Sequence, residues 1–150
     1  MRPSRQPTLK TKAANRIRWA DMAAYNVGEL IGAMLDAAVA KAGGIRFFVE
    51  FDVRPNPMEP RCTWHGKDDG SPEGAPDFER AYSPSTEWAI AGPIIERERL
   101  ALIPGAPDTG NWGAHLGGPL GAEILWGPTP LIAAMRAYVA SKFGETIELP

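Results

Sequence analysis

The chain has 150 residues, of which 44% are hydrophobic and 23% charged, with a formal net charge of −2. That length favours one domain around one core, and that balance excludes global disorder. The lone cysteine, Cys62, excludes an internal disulfide. No apolar run reaches the ~18 residues of a membrane span or follows a basic start like a signal peptide, so a reducing cytoplasm is the expected setting.

Residues 1–21 form a basic leader. Six of the sixteen basic residues (Arg2, Arg5, Lys10, Lys12, Arg16 and Arg18) precede the first acid, Asp21, which leaves ten against eighteen acids, a balance of −8, for the rest. The leader lacks apolar periodicity and is expected to be disordered, or to lie upstream of a true start at Met22. Its other reading is a nucleic-acid arm, because Lys and Arg displace counterions from phosphates.

Residues 22–150 read as a single small α+β domain. The pattern predicts two main helices, a short central helix, a small and mainly antiparallel sheet, and long Pro/Gly-rich loops. The first helix is predicted from Asn26, with Asn26 and Glu29 spaced as a capping box, Leu30, Ile31, Met34, Leu35, Ala38 and Ala42 on an apolar face, and Gly43-Gly44 as its stop. Glu29 and Asp36 fall on the opposite edge, which should be wet. Ile45 to Val53 alternates strictly and predicts a strand.

Residues 54–81 are dense in proline and glycine and read as a loop inserted into the domain. Ser83 and Pro84 suit the start of a short helix that Gly92-Pro93 should end, with an extended segment from Ile94 to Ile103. Pro104 to Gly121 reads as a second loop, and Ala122 to Trp126 as a short strand.

The last helix has Thr129 as cap, Pro130 at its first position and Gly144 at its end. One side carries Leu131, Ile132, Met135, Tyr138, Val139 and Phe143, the other mostly alanine, and only Arg136 and Lys142 are ionised. A helix apolar almost all round is covered all round, so it should be central to the fold or packed against another subunit. Ile147 and Leu149 suit a final strand.

Three segments resemble the NinX-like family of bacteriophage accessory proteins. They are Glu29-Leu30 through Ala40-Lys41-Ala42-Gly43, Tyr82-Ser83-Pro84-Ser85-Thr86-Glu87-Trp88 running to Gly92-Pro93-Ile94-Ile95-Glu96-Arg97-Glu98, and Gly127-Pro128-Thr129-Pro130 through Tyr138-Val139. The resemblance implies a small protein encoded in phage or prophage genomes, outside the structural and replication core genes, for which the expected cytoplasm is that of the host bacterium. It supplies no catalytic residues. The basic leader and the enlarged loop after the first strand depart from the family pattern.

Candidate ligand-binding residues are Tyr82, Ser83, Ser85, Thr86, Trp88, Arg97, Thr129 and Arg136. Three hydroxyls between two aromatics suit a polar ligand with a flat ring. The start of the last helix offers unpaired amides to an anion, and an arginine on a nearly uncharged helix calls for an acid or an anion. These readings compete with plain helix capping and core packing.

Glu96 and Glu98 could serve as acid and base, although alternating charges also mark a solvated edge. Cys62 and His65 near Asp68 and Asp69 have a loosely zinc-like spacing but fall short of four ligands, and no nucleophile elbow is present. No metal, cofactor or catalytic set is therefore expected. Nucleic acid is not an expected partner either, because the domain proper is acidic.

The preferred expectation is a non-enzymatic binder of a small anionic or nucleotide-like molecule, sequestering a host defence signal and forming a homo-oligomer through the alanine-lined helix. The alternative is a protein-interaction module that inhibits a host protein. A third reading is an enzyme acting on a phosphate- or glycosyl-bearing substrate.

Overall fold

The computed structural model describes residues 22–45, 47–51, 60–66, 78–116 and 123–150. The leader and much of the 54–81 segment lie outside these residues. In chain order the described elements are β1 (Ala23–Asn26), a 3-10 turn (Val27–Glu29), α1 (Gly32–Ala42), β2 (Phe47–Phe51), β3 (Pro60–Gly66), β4 (Phe78–Ala81), α2 (Trp88–Glu98), β5 (Leu100–Pro104), β6 (Trp112–Leu116), β7 (Leu125–Gly127), α3 (Pro130–Phe143) and β8 (Thr146–Leu149). The strands form three antiparallel sheets, β1-β8, β2-β3-β4 and β5-β6-β7. This is the expected α+β class, with its small sheets.

Helix α3 is the centre. It packs on the β5-β6-β7 sheet, on α1, on α2 and on β8, while α1 packs in turn on β2 and β3. Leu131 and every residue from Ala133 to Val139 are buried. Both helices bury alanines, Ala37, Ala38 and Ala40 on α1 and Ala133, Ala134 and Ala137 on α3. Short side chains let helices approach closely. The alanine side of α3 is thus filled by the same chain, so it does not furnish the subunit interface that its pattern suggested.

Several boundaries differ from the sequence reading, each for a physical reason. Asn26 accepts a hydrogen bond from the Gly28 amide (2.8 Å), which folds Val27–Glu29 into a 3-10 turn, and Val27 N donates to Glu145 O (2.8 Å), tying that turn to the residue just before β8. The helix proper starts at Gly32, whose φ of +55° is a left-handed conformation that glycine adopts at least cost. Asp36, expected on a wet edge, is buried, because α1 is covered by α3 on one side and by β2 and β3 on the other.

The interval 54–81 is more than a loop, since it contributes β3 and β4. Gly92-Pro93 does not end α2. Ala91 and Ile94 are buried with Ile90 and Ile95 partly so, a helical stripe whose packing outweighs the missing proline amide, and Pro93 and Ala89 are exposed. The segment from Ile94 is therefore helical up to Glu98, and the turn to β5 is made by Arg99 in the left-handed region. β6 likewise lies inside the second expected loop.

The close seat of β7 on α3 sets a testable limit. A Cβ at Gly127 would stand 2.9 Å from Ala133 N and 2.9 Å from Ile132 Cγ2. Helix backbone cannot yield, so Gly127→Ala should cost about 1–3 kcal/mol in urea unfolding. Gly113→Ala, whose nearest clash is the exposed Ile124 side chain at 2.8 Å, should cost less. Equal losses would show that β7 is not held this tightly.

Candidate functional site

The eight residues singled out in the sequence fall into two groups on opposite sides of α3. The first is built around Asp36. From α1 its carboxylate accepts a hydrogen bond from the Ser85 amide (2.8 Å) inside the protein. Ser85 is 2% exposed, and its hydroxyl has no hydrogen-bond partner of good geometry among the described residues, although it lies close enough to favour the charged form of Asp36.

Burial pushes the Asp36 carboxyl from 3.8 to about 6; the Ser85 amide and hydroxyl oppose that rise, and the charge of Glu87 adds to it. Burial likewise pushes the Cys62 thiol up to about 12, with Asp36 contributing. Cys62 is therefore a neutral, buried thiol and not a nucleophile at neutral pH. Tyr82 N donates to Cys62 O (2.9 Å), and burial raises the Tyr82 phenol too, with Cys62, Tyr138 and Asp36 in the same sense and Arg97 opposing.

The turn carrying these groups is held locally. Ser83 O accepts from Thr86 N (3.1 Å) and Glu87 N (2.9 Å), and the Ser83 hydroxyl donates to the Glu87 carboxylate. Ser83 therefore supports the turn and does not cap α2, whose cap position is Glu87. Thr86 is exposed and donates to Ser83 O (3.4 Å), and Trp88 is exposed at the first position of α2. Arg97, on the surface of α2, donates to Glu98 (3.0 Å), which also pairs with Lys142 (3.7 Å). That bond is the chief cause of the raised Arg97 pKa, and Tyr138 adds to it. Glu96 and Glu98 are two residues apart on one helix, so they face different ways and do not pair as acid and base.

The second group lies on the other side of α3, Thr129 at its start and Arg136 in its middle. Thr129 acts as the cap, accepting from Ile132 N (3.1 Å). Arg136 is 7% exposed, and its guanidinium donates through Nε to Leu30 O (2.9 Å) and through Nη1 to Trp126 O (2.5 Å). Burial lowers its pKa and Glu29 opposes that shift. The company that this arginine required is thus two backbone carbonyls and a nearby acid.

Tyr138, where the first group meets α3, is nine residues from Thr129, about 13 Å along the axis, and about 200° around the helix from Arg136. The hydroxyl-rich block and the start of α3 do not form a shared hollow.

Among the described residues, the outer face of the β5-β6-β7 sheet presents exposed apolar side chains at its β7 edge. Strand alternation turns Leu100, Leu102, Ala114 and Leu125 towards α3, and Ala101, Ile103, Gly113 and Trp126 away from it. Trp126 is 46% exposed and Ile124 38%, and both lie over Gly113, with Trp126 Cζ3 and Ile124 Cγ2 where a Cβ would be. Ile31, 60% exposed, follows Leu30, the other residue tied to Arg136. Sequence reasoning passed over Asp36, Tyr138, Ile31, Ile124 and Trp126. The one available signal for Asp36 was a lone acid beside the alanine-rich run Ala37–Ala40.

The fold and these two clusters define a small α+β domain built on a buried central helix, with one buried carboxylate and one clamped apolar face. The chain belongs to the bacteriophage P22 NinX family, whose model matches residues 26–142 and so includes both clusters. No curated protein matches the chain. Among the described residues no helix is long and apolar enough to cross a membrane.

Two predictions follow from the buried charges. The folded state holds the Asp36 proton more tightly than the unfolded chain, so stability should rise as pH falls from about 6 towards 3.8 and be lost as pH climbs back through about 6. The full effect is on the order of 3 kcal/mol, and Asp36→Asn should remove this component of the pH profile. Arg136→Ala removes hydrogen bonds to one buried and one part-buried carbonyl and should cost about 2–4 kcal/mol, with Arg136→Lys recovering little, because one ammonium lacks the fork that reaches both. Urea unfolding from pH 4 to pH 8 measures both effects, and a flat Asp36 difference would contradict the first.

Proposed function

We propose that this NinX-family protein is a phage accessory protein that acts in the host cytoplasm by docking a host protein on the Ile31–Ile124–Trp126 face, and that it works by binding and not by catalysis. One observation carries this reading. Trp126 is an exposed aromatic whose backbone is fixed by a buried arginine and whose ring lies over a glycine floor. Exposed tryptophans held rigid before binding are the side chains that most often dominate interface energies, because little conformational entropy remains to be lost.

The surroundings indicate the partner's chemistry. Glu29 and Glu123 are exposed beside this face, so a segment with an apolar anchor between lysines or arginines is complementary. A second copy would set acid against acid. The small anionic ligand expected at the start of α3 has less support, because the Tyr82–Trp88 block stands away from Thr129 and Arg136.

Affinity capture from the host, followed by titration of the recovered partner, tests the docking face. Trp126→Ser and Ile124→Ser should keep the fold and weaken binding at least tenfold, with Trp88→Ser near wild type. A partner retained equally by Trp126→Ser, or lost equally with Trp88→Ser, would overturn the assignment.

A further inference from the structure

The docking face has acids at its rim, and the chain carries a basic segment of its own in residues 1–21. Those residues lie outside the described ones and precede the family match, which begins at residue 26. From Asp21 onward ten basic residues stand against eighteen acids, whereas the leader holds the other six of the sixteen. Within it, Arg16-Ile17-Arg18-Trp19 alternates two arginines with two apolar side chains. That is the chemistry the face calls for, an apolar anchor beside cations that answer Glu29 and Glu123. In an extended strand Ile17 and Trp19 share one side, and arginine stems are long enough to bring their heads round to the rim.

Reach agrees with composition. The leader joins the fold at β1, and the face lies beyond the far end of that strand. After Asn26 the 3-10 turn packs on β7, where a Cβ at Gly28 would stand 4.0 Å from Leu125 Cδ1, and Leu30 O and Trp126 O accept from one guanidinium. β1 covers about 10 Å from Ala23 to Asn26. The six steps back from Ala23 to Ile17 span up to about 20 Å, so a reversal before β1 returns Ile17 along the strand to the neighbourhood of Ile31 and Trp126. A tethered segment meets its site at roughly millimolar effective concentration, which favours the chain's own leader over that of a second copy.

We propose that residues 16–19 fold back onto the Ile31–Ile124–Trp126 face of the same chain, so that a host partner must displace them to bind. The gating rests on the docking reading above; the fold-back contact does not. Fluorine NMR of the full chain labelled with 5-fluorotryptophan reads that contact, since each of the five tryptophans reports separately. Ile17→Ser, and Arg16→Glu combined with Arg18→Glu, should each move the Trp126 resonance in the same direction, with Trp64, Trp88 and Trp112 as controls of the fold. Salt at about 1 M should move it the same way in the wild type, because the attraction is then screened. A Trp126 resonance indifferent to both variants would overturn the contact, and so would a variant effect that vanishes on dilution, which would assign the leader to a second copy. Titration of a captured host partner tests the gating. Ile17→Ser should raise its affinity severalfold, and an unchanged affinity would sink that part. Failure to capture any partner counts against the docking reading alone, because the fluorine signals need none.

Discussion

The enclosure of α3 sets the terms for the rest of the fold. Leu131 and the run from Ala133 to Val139 are buried, so every group that the helix carries must be satisfied from within the chain. For the aliphatic and alanine positions this means packing against α1 and the β5-β6-β7 sheet. For Arg136 it means hydrogen bonds, and the two carbonyls it reaches belong to the Leu30 corner before α1 and to β7. One guanidinium thereby joins α3 and the neighbouring β7 to the Leu30 corner, 106 residues away in the chain.

The same clamp explains how an apolar surface can stay outside the core. β7 is pressed on α3 at Gly127, where a Cβ would strike helix backbone, and its next residue back, Trp126, must turn outward. Across the ladder Gly113 leaves room for the indole and for Ile124. Inward glycine, outward tryptophan and a locked carbonyl are three aspects of one arrangement. The exposed face follows from how tightly the other face is packed.

The elements legible in the sequence were those whose signals are local. Thr129, Pro130 and Gly144 marked both ends of α3, and the alternation around Val49 marked β2. The features that misled were also local, but tertiary contacts overrode them. Gly92-Pro93 would stop an isolated helix, yet Ala91 and Ile94 gain burial by continuing it. Asn26 and Glu29 are spaced as a helix start, yet Val27 is drawn to Glu145 at the far end of the chain. The hydroxyl-rich turn was visible as a block of unusual composition, whereas its neighbour Asp36, 49 residues away, was not. Arg136 stood out as a charge needing company, and nothing in its own segment shows that the company is backbone.

The two buried ionisable groups differ in how well the fold accommodates them, and that difference is informative. Arg136 donates to two backbone carbonyls, so its desolvation is offset by two charge-assisted hydrogen bonds. Among the described residues Asp36 has one amide donor of good geometry, and the Ser85 hydroxyl beside it favours the charged form without a well-formed hydrogen bond. A penalty on the order of 3 kcal/mol is a large fraction of the 5–15 kcal/mol that holds a typical domain together. Asparagine would accept the same amide without the charge. A carboxylate kept where a neutral isostere would fit is a local rule broken without a structural return, and its consequence is a fold whose stability depends on pH.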